Sequence, residues 1–304
     1  MKIYLDVYLA KNLGDDLFVD VIANEFPNVE FYLNYYGKHY DEFLKKYKNV
    51  HRPLYPTYWK ILNKMGLYDY INDGLRLSKE YDAYIFMGGS IFREEEQYWK
   101  ELYNQRLNVL NCFKKLNKPV LVLGSNFGPV HTKQFKELYS TFFNKCDCVS
   151  FRDMYSYKLF SYIPSVHYGH DIIFQKKFKQ YEKENTISYS IVDPNHKENL
   201  SQYEEYYIDT IIKSVVQNVK KGIRCNLLSF CEIEGDLNVC KKVYNQIPVD
   251  CRNMISIHNY NGNIDEFLEI ISKSKLIIAS RFHANILGIL SNTPIIPIVY
   301  SEKT

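Results

Sequence analysis

Short β-rich runs alternate with longer helical stretches along this chain, the pattern of βαβ units and parallel sheets. In the first half the runs are Ile3–Leu9, Val29–Asn34, Ala83–Met87, Val120–Gly124 and Cys148–Phe151. Between them, helices are predicted over Asp16–Glu25, Arg93–Leu116 and Lys133–Asn144. Tyr47–Asp73 mixes aromatics with prolines and reads as loop with short helices.

The charged stretch Gln175–Asn185 interrupts the alternation and reads as a linker. Strand patterns then resume at Ile187–Val192, Arg224–Phe230, Met254–Ile257, Leu276–Ala279 and Ile295–Val299. Helical patterns cover Tyr203–Lys221, Leu237–Gln246, Ile264–Ser272 and Arg281–Leu290. The expected organisation is an N-terminal Rossmann-like domain over 1–174, a linker over 175–185 and a C-terminal Rossmann-like domain over 186–304. Two α/β domains whose parallel sheets face each other across a cleft make a GT-B-like architecture. The chain stops at Thr304, just after a strand pattern, so a covering C-terminal segment is expected to be missing or short.

Length supports this division, because 304 residues make about two domains at ~150 residues each. A net charge of +3 argues against a general nucleic-acid binder, which needs a basic face. The 28 tyrosines fit an AT-rich genome, or a cleft that binds sugar. Seven cysteines without a CxxC pair fit neither a zinc knuckle nor a disulfide framework. Cys146 and Cys148 form a CxC expected on one strand, with side chains on opposite faces. The N-terminus enters a strand pattern directly, unlike a signal peptide. No window reaches the ~18 apolar residues of a membrane span. A cytoplasmic protein is expected, with room for peripheral contact at the inner face of the membrane.

Open parallel sheets bind ligands beyond the carboxyl ends of their strands, so chemistry is sought there. After the first strand come Asn12, Gly14, Asp15 and Asp16, where an aspartate could cap a helix or meet a ligand. Gly88 and Gly89 follow Met87, as a plain turn or as backbone open to a ligand. Gly124, Ser125, Asn126, Phe127, Gly128 and Pro129 form a glycine-rich loop that is neither GxGxxG nor a Walker loop. A nicotinamide dinucleotide is therefore not indicated. Arg152 follows the strand Cys148–Phe151, where a guanidinium could clamp an anion or pair with Asp153. Ser280, Arg281 and His283 follow the apolar strand Leu276–Ala279, with His283 in the first turn of a helix. That placement suits an anionic ligand, although a lone histidine there can be structural.

Taken in order, these segments resemble the polysaccharide pyruvyl transferase family over most of the chain. The blocks run from Asn12-Leu13-Gly14-Asp15 through Gly88-Gly89, Gly124–Pro129 and Ser150-Phe151-Arg152-Asp153 to Ser280-Arg281-Phe282-His283-Ala284 and Pro294-Ile295-Ile296-Pro297-Ile298. The resemblance implies a GT-B-like fold, a phosphoenolpyruvate donor and a sugar acceptor, in a surface polysaccharide or its lipid-linked precursor. Pyruvate would be attached as a ketal. It also implies that Arg152 and His283 grip the donor, with Arg281 and Ser280 beside them. Members usually continue past the Tyr300–Lys303 region, and Tyr47–Asp73 matches no motif.

Within that expectation His283 binds phosphate or supplies a proton near neutral pH. Asp15 is the candidate base for the sugar hydroxyl. Asn12, Gly14, Gly88, Gly89, Gly124, Asn126 and Gly128 would offer loop and backbone contacts to ligands. No metal cluster is visible, so neither metal nor cofactor is expected beyond the co-substrate. Two rivals remain at this point: a GT-B nucleotide-sugar glycosyltransferase and a non-catalytic sugar-binding homologue.

Overall fold

The computed structural model describes residues 1–35, 37–94, 98–197 and 199–300. Two parallel sheets organise it. The first is built from β1 (Lys2–Val7), β2 (Glu30–Leu33), β3 (Val50–His51), β4 (Ala83–Met87), β5 (Val120–Ser125), β6 (Cys148–Phe151) and β7 (Val166–Tyr168). Its helices are α1 (Leu13–Glu25), α2 (Asp41–Leu44), α3 (Thr57–Lys64), α4 (Gly74–Glu80), α5 (Trp99–Lys115), α6 (Lys133–Lys145) and α7 (Met154–Phe160). The second sheet comprises β8 (Glu184–Ile191), β9 (Arg224–Ser229), β10 (Ile255–Asn259), β11 (Ser274–Ala279) and β12 (Ile295–Pro297). With it go α8 (Glu204–Lys220), α9 (Asp236–Gln246), α10 (Ile264–Lys273) and α11 (Phe282–Leu290).

The strand orders are β3-β2-β1-β4-β5-β6-β7 and β10-β9-β8-β11-β12. Both sheets are doubly wound, and their order reverses between β1 and β4 and between β8 and β11. Those reversals mark where each sheet opens a crevice at its carboxyl edge. By contacts the chain divides into a first unit, Met1–Leu9 with Phe18–Ile172, and a second, Ala10–Leu17 with Ile173–Thr304.

The first core is dominated by aromatics. Tyr4, Tyr84 and Tyr139 are buried among Phe86, Phe92, Phe113 and Phe142. Several buried tyrosine hydroxyls find partners: Tyr47 donates to Asp20 (2.6 Å) and Tyr189 meets Ser214 (2.9 Å). Much of the tyrosine excess is therefore core. Aliphatic residues of β8 and β9, including Ile187, Ile191 and Leu227, form the second core with α8 and α9.

Several expectations are corrected. Strands β3 and β7, two and three residues long, were not anticipated, because such runs are too short to show a period. Helix α5 begins at Trp99 rather than Arg93, and Glu95–Gln97 of the expected helix lie outside the described residues. Cys146 caps the end of α6 and only Cys148 stands on β6, so the CxC does not lie along one strand. The charged stretch expected to be a linker is fastened to the second unit. Lys183 Nζ donates to the carbonyls of Ser272 (2.7 Å) and Ser291 (2.9 Å) and to Thr293 Oγ1 (2.5 Å). Gln180 Nε2 reaches the carbonyl of Leu290, and β8 has begun by Glu184.

Candidate functional site

In the first unit the residues singled out gather at the carboxyl edge of β4, β5 and β6. Arg152 leaves β6, and its backbone N–H donates to the carbonyl of Ser125 at 2.9 Å. Its guanidinium fills the space that a side chain on Gly89 would need: a Cβ there would lie 2.2 Å from Nη2. Nη1 donates to Asp171 Oδ2 at 2.7 Å and Nη2 to Asn126 Oδ1 at 3.2 Å. The arginine and Asp171 side chains are both almost wholly buried. Asp153, the partner considered from sequence, instead caps α7 by accepting from the Ser156 N–H at 2.8 Å.

Asn126 is held on both sides. Its N–H donates to the Gly89 carbonyl (2.7 Å), and Oδ1 also accepts from Ser90 Oγ (3.3 Å). The guanidinium donor on Oδ1 fixes the amide orientation, since a flip would set NH₂ against Nη2 of Arg152. Its Nδ2 is then a buried donor with no partner among the described residues. A buried, unsatisfied donor costs about 1–3 kcal/mol, and a bound oxygen would recover it.

The glycine loops are also tied together by their own backbone. The Gly128 N–H donates to the Phe92 carbonyl (2.8 Å), and the Gly88 carbonyl accepts from Ser125 Oγ (2.8 Å). Gly124 and Gly128 have φ of 67° and 112°, which L side chains resist, so backbone shape accounts for both.

In the second unit His283 is the second residue of α11 and lies against Gly14, the second residue of α1. A Cβ on Gly14 would come 1.7 Å from Nδ1 of the imidazole. Helix α1 starts three residues earlier than expected and is capped by Asn12, not by an aspartate. Asn12 Oδ1 accepts from the Gly14 N–H at 3.0 Å. Asn12 Nδ2 donates to Glu234 Oε1 at 3.1 Å. Asp15 sits half-buried in the first turn of α1, and buried Asp16 accepts from the Tyr260 hydroxyl at 2.7 Å.

Arg281 and Ser280, expected beside the donor, both have partners within the second unit. Arg281 is buried and held by two carboxylates. Nε donates to Asp236 Oδ2 (2.9 Å), Nη2 reaches Asp236 Oδ1, and Nη1 donates to Glu234 Oε2 (2.6 Å). Lys197 Nζ also meets Glu234 Oε2, at 3.0 Å. Burial would raise the Glu234 carboxyl, but Arg281 and then Lys197 outweigh it and hold it at about 2. Asp236, more deeply buried, is pushed upward by that burial despite Arg281. Two acids thus offset two bases, and Arg281 anchors the start of α11 instead of presenting an unmatched charge. The Ser280 hydroxyl is paired with that of Tyr207 at 2.8 Å.

Sequence reasoning missed Asp171, Glu234 and Asp236. Asp171 follows the unrecognised β7. Glu234-Gly235-Asp236 follows β9, a strand-end acidic pair that the same search could have flagged. It also missed a cavity of about 390 Å³ in the first unit, lined by Val7, Tyr8, Leu9, Asn34, Tyr35, Gly37 and His39. The cavity opens at the carboxyl ends of β1 and β2. Asn34 is fixed there, accepting from the Val7 N–H (3.0 Å) and donating to Asp6 Oδ1 (2.8 Å).

The model of the polysaccharide pyruvyl transferase family matches residues 12–302. The chain belongs to that family. As a family member it carries the expected motifs on the loops and helix starts just described. No curated protein matches it. Among solved structures it is similar to HepE of Anabaena in complex with UDP and glucose, at 10% identity and a TM-score of 0.55, covering 97% of this chain and 80% of that one. It is also similar to UDP-GlcNAc 2-epimerase from Methanocaldococcus jannaschii, at 12% identity and 0.56, covering 98% and 83%. The enzyme of the same name from Rickettsia bellii gives 10% and 0.54, covering 97% and 78%. At such identities the likeness is one of fold, and the fold of this family member is GT-B-like, from two parallel-sheet α/β units. No helix among its described residues is long and apolar enough to cross a membrane.

Proposed function

We propose that this transferase moves the pyruvate group of phosphoenolpyruvate onto a sugar as a ketal, the sugar belonging to a surface polysaccharide or its lipid-linked precursor. Family membership over residues 12–302 supports the reading. The observation that carries the donor assignment is the unspent Asn126 amide beside Arg152. A buried donor next to a guanidinium suits a carboxylate or phosphate oxygen.

The proposed reaction adds a proton to the methylene carbon of the donor. A sugar hydroxyl attacks the adjoining cationic carbon, phosphate departs, and a second hydroxyl closes the ketal. Both hydroxyl protons are released. Arg152 and Asn126 hold donor oxygens, and His283 binds phosphate or delivers the proton. Asp15 takes a hydroxyl proton. The cavity bounded by Asn34, Tyr35 and His39 receives the acceptor, its volume lying within the ~300–1,000 Å³ of ligand pockets. Arg281 and Ser280 have no direct donor contact in this scheme.

Incubation with phosphoenolpyruvate and a panel of sugar acceptors tests it, read as phosphate release together with acid-labile pyruvate on the sugar. Stabilisation by UDP-sugars with none by phosphoenolpyruvate would favour glycosyl transfer instead. Donor binding without turnover on any acceptor would favour a non-catalytic homologue.

A further inference from the structure

Residues 54–67 of the first unit expose apolar surface that its core does not use. No residue of α3 is buried. Tyr58, Ile61 and Met65 are 58%, 55% and 64% exposed, and at i, i+3 and i+7 they share one face. Leu54 before the helix and Leu67 after it are 91% and 67% exposed. The opposite face carries Trp59, which packs on Tyr55, Tyr68 and Tyr70 and beneath the Arg76 guanidinium. The helix is therefore seated by its aromatic face with its apolar stripe outward. Its end is fixed: Gly66 has φ +69°, its N–H donates to the Asn63 carbonyl, and the Leu67 N–H donates to that of Leu62.

Charge narrows the occupant. Residues 54–68 hold Lys60 and Lys64 and no acid. On a helical wheel both lysines stand off the Tyr58–Ile61–Met65 stripe. An outward apolar stripe with lysines on the polar flank is the chemistry of a helix lying in the plane of an anionic lipid surface. One short helix is small against the ~800 Å² a side of a stable protein interface. A bilayer needs only a few inserted side chains.

Position gives a reason for it. The segment leaves the carboxyl end of β3, the same edge at which the cavity opens. Arg52, just before Leu54, donates from Nη1 to the Gly37 carbonyl on the cavity wall at 2.5 Å. We infer that residues 54–67 dock the protein on an anionic bilayer and set the cavity of β1 and β2 at the lipid surface. The inference does not depend on the identity of the donor or the reaction.

Co-sedimentation of the full chain with vesicles tests it, using phosphatidylcholine alone or mixed with phosphatidylglycerol. The wild type is expected to bind the mixed vesicles at least tenfold better, with binding falling as salt rises. Ile61→Ser with Met65→Ser should lose most of that binding, and Lys60→Glu with Lys64→Glu should lose it at low salt. These side chains are exposed, so unchanged circular dichroism and thermal unfolding identify a surface effect. Failure of the wild type to bind the mixed vesicles overturns the inference. So does binding by both variants at wild-type strength. A concentration-dependent dimer that Ile61→Ser with Met65→Ser abolishes, without vesicle binding, would assign the face to a second copy and overturn it equally.

Discussion

The imidazole of His283 occupies the place where a side chain on Gly14 would stand, with Nδ1 1.7 Å from the position of the missing Cβ. A methyl group at position 14 must evict the ring, because that contact is far below any van der Waals distance. The Cβ would also lie 2.7 Å from Cγ, so the whole ring must move and not only its tip. Gly14→Ala is therefore expected to mimic His283→Ala: kcat/KM down roughly ten- to a hundredfold, from charge-assisted contacts of ~1.5–3 kcal/mol. Steady-state kinetics of the two single variants and the double variant checks this. The double variant should be no worse than His283→Ala alone. Full additivity would break the link.

Arg152→Ala removes one partner of the buried ion pair with Asp171. A stability loss on the order of 3–5 kcal/mol is expected alongside weaker donor binding. Arg152→Lys keeps a charge for Asp171 but loses the planar fork that also reaches Asn126. It should recover much of the stability and little of the donor affinity. Urea unfolding and calorimetry with phosphoenolpyruvate separate the two effects. A lysine variant that binds donor like wild type would remove the bidentate role.

Asp15→Asn tests the base. Asn12 supplies the cap of α1, and asparagine at 15 keeps the shape of the side chain there. Turnover should fall by roughly 10²–10⁴, the usual worth of a general base, with donor affinity nearly unchanged. Unaltered turnover would move the base elsewhere.

Glu234 makes an acid limb in stability. Its folded pKa of about 2 lies below the ordinary glutamate value, so its contribution is present above about pH 4.5. As pH falls from there toward 2 the folded carboxylate takes up a proton and that stability is lost. Asp236, pushed upward, acts in the opposite sense over its own range. Glu234→Gln should therefore be less stable than wild type at pH 7, and the gap should narrow between pH 4.5 and 2. Unfolding curves across that range decide it. A gap independent of pH would mean that the charge on Glu234 contributes nothing.

Strands Ala83–Met87 and Cys148–Phe151 match the sequence reading to the residue, each ending where a glycine or charged turn begins. The glycines were legible as required positions, but not the reason for Gly14 and Gly89. Each makes room for a side chain brought by distant chain, His283 in one case and Arg152 in the other. The carboxylates that hold Arg281, Glu234 and Asp236, were not legible beside it because they are more than forty residues away. Lys183 made its neighbourhood look like solvent-loving linker, whereas its ammonium ties down three oxygens of the second unit.

The second unit is not one stretch of chain. Residues Ala10–Leu17 belong to it by contacts, bringing the Asn12–Glu234 and Asp16–Tyr260 hydrogen bonds and the glycine under His283. A gene fragment beginning at Ile173 would encode the whole five-stranded sheet and still lack the bed of its histidine. That histidine's surroundings are assembled from stretches of chain more than two hundred and fifty residues apart, so a ribosome completes them only after His283 has been added. A synthetic peptide spanning 10–17, added in trans, is the missing piece such a fragment would have to recruit.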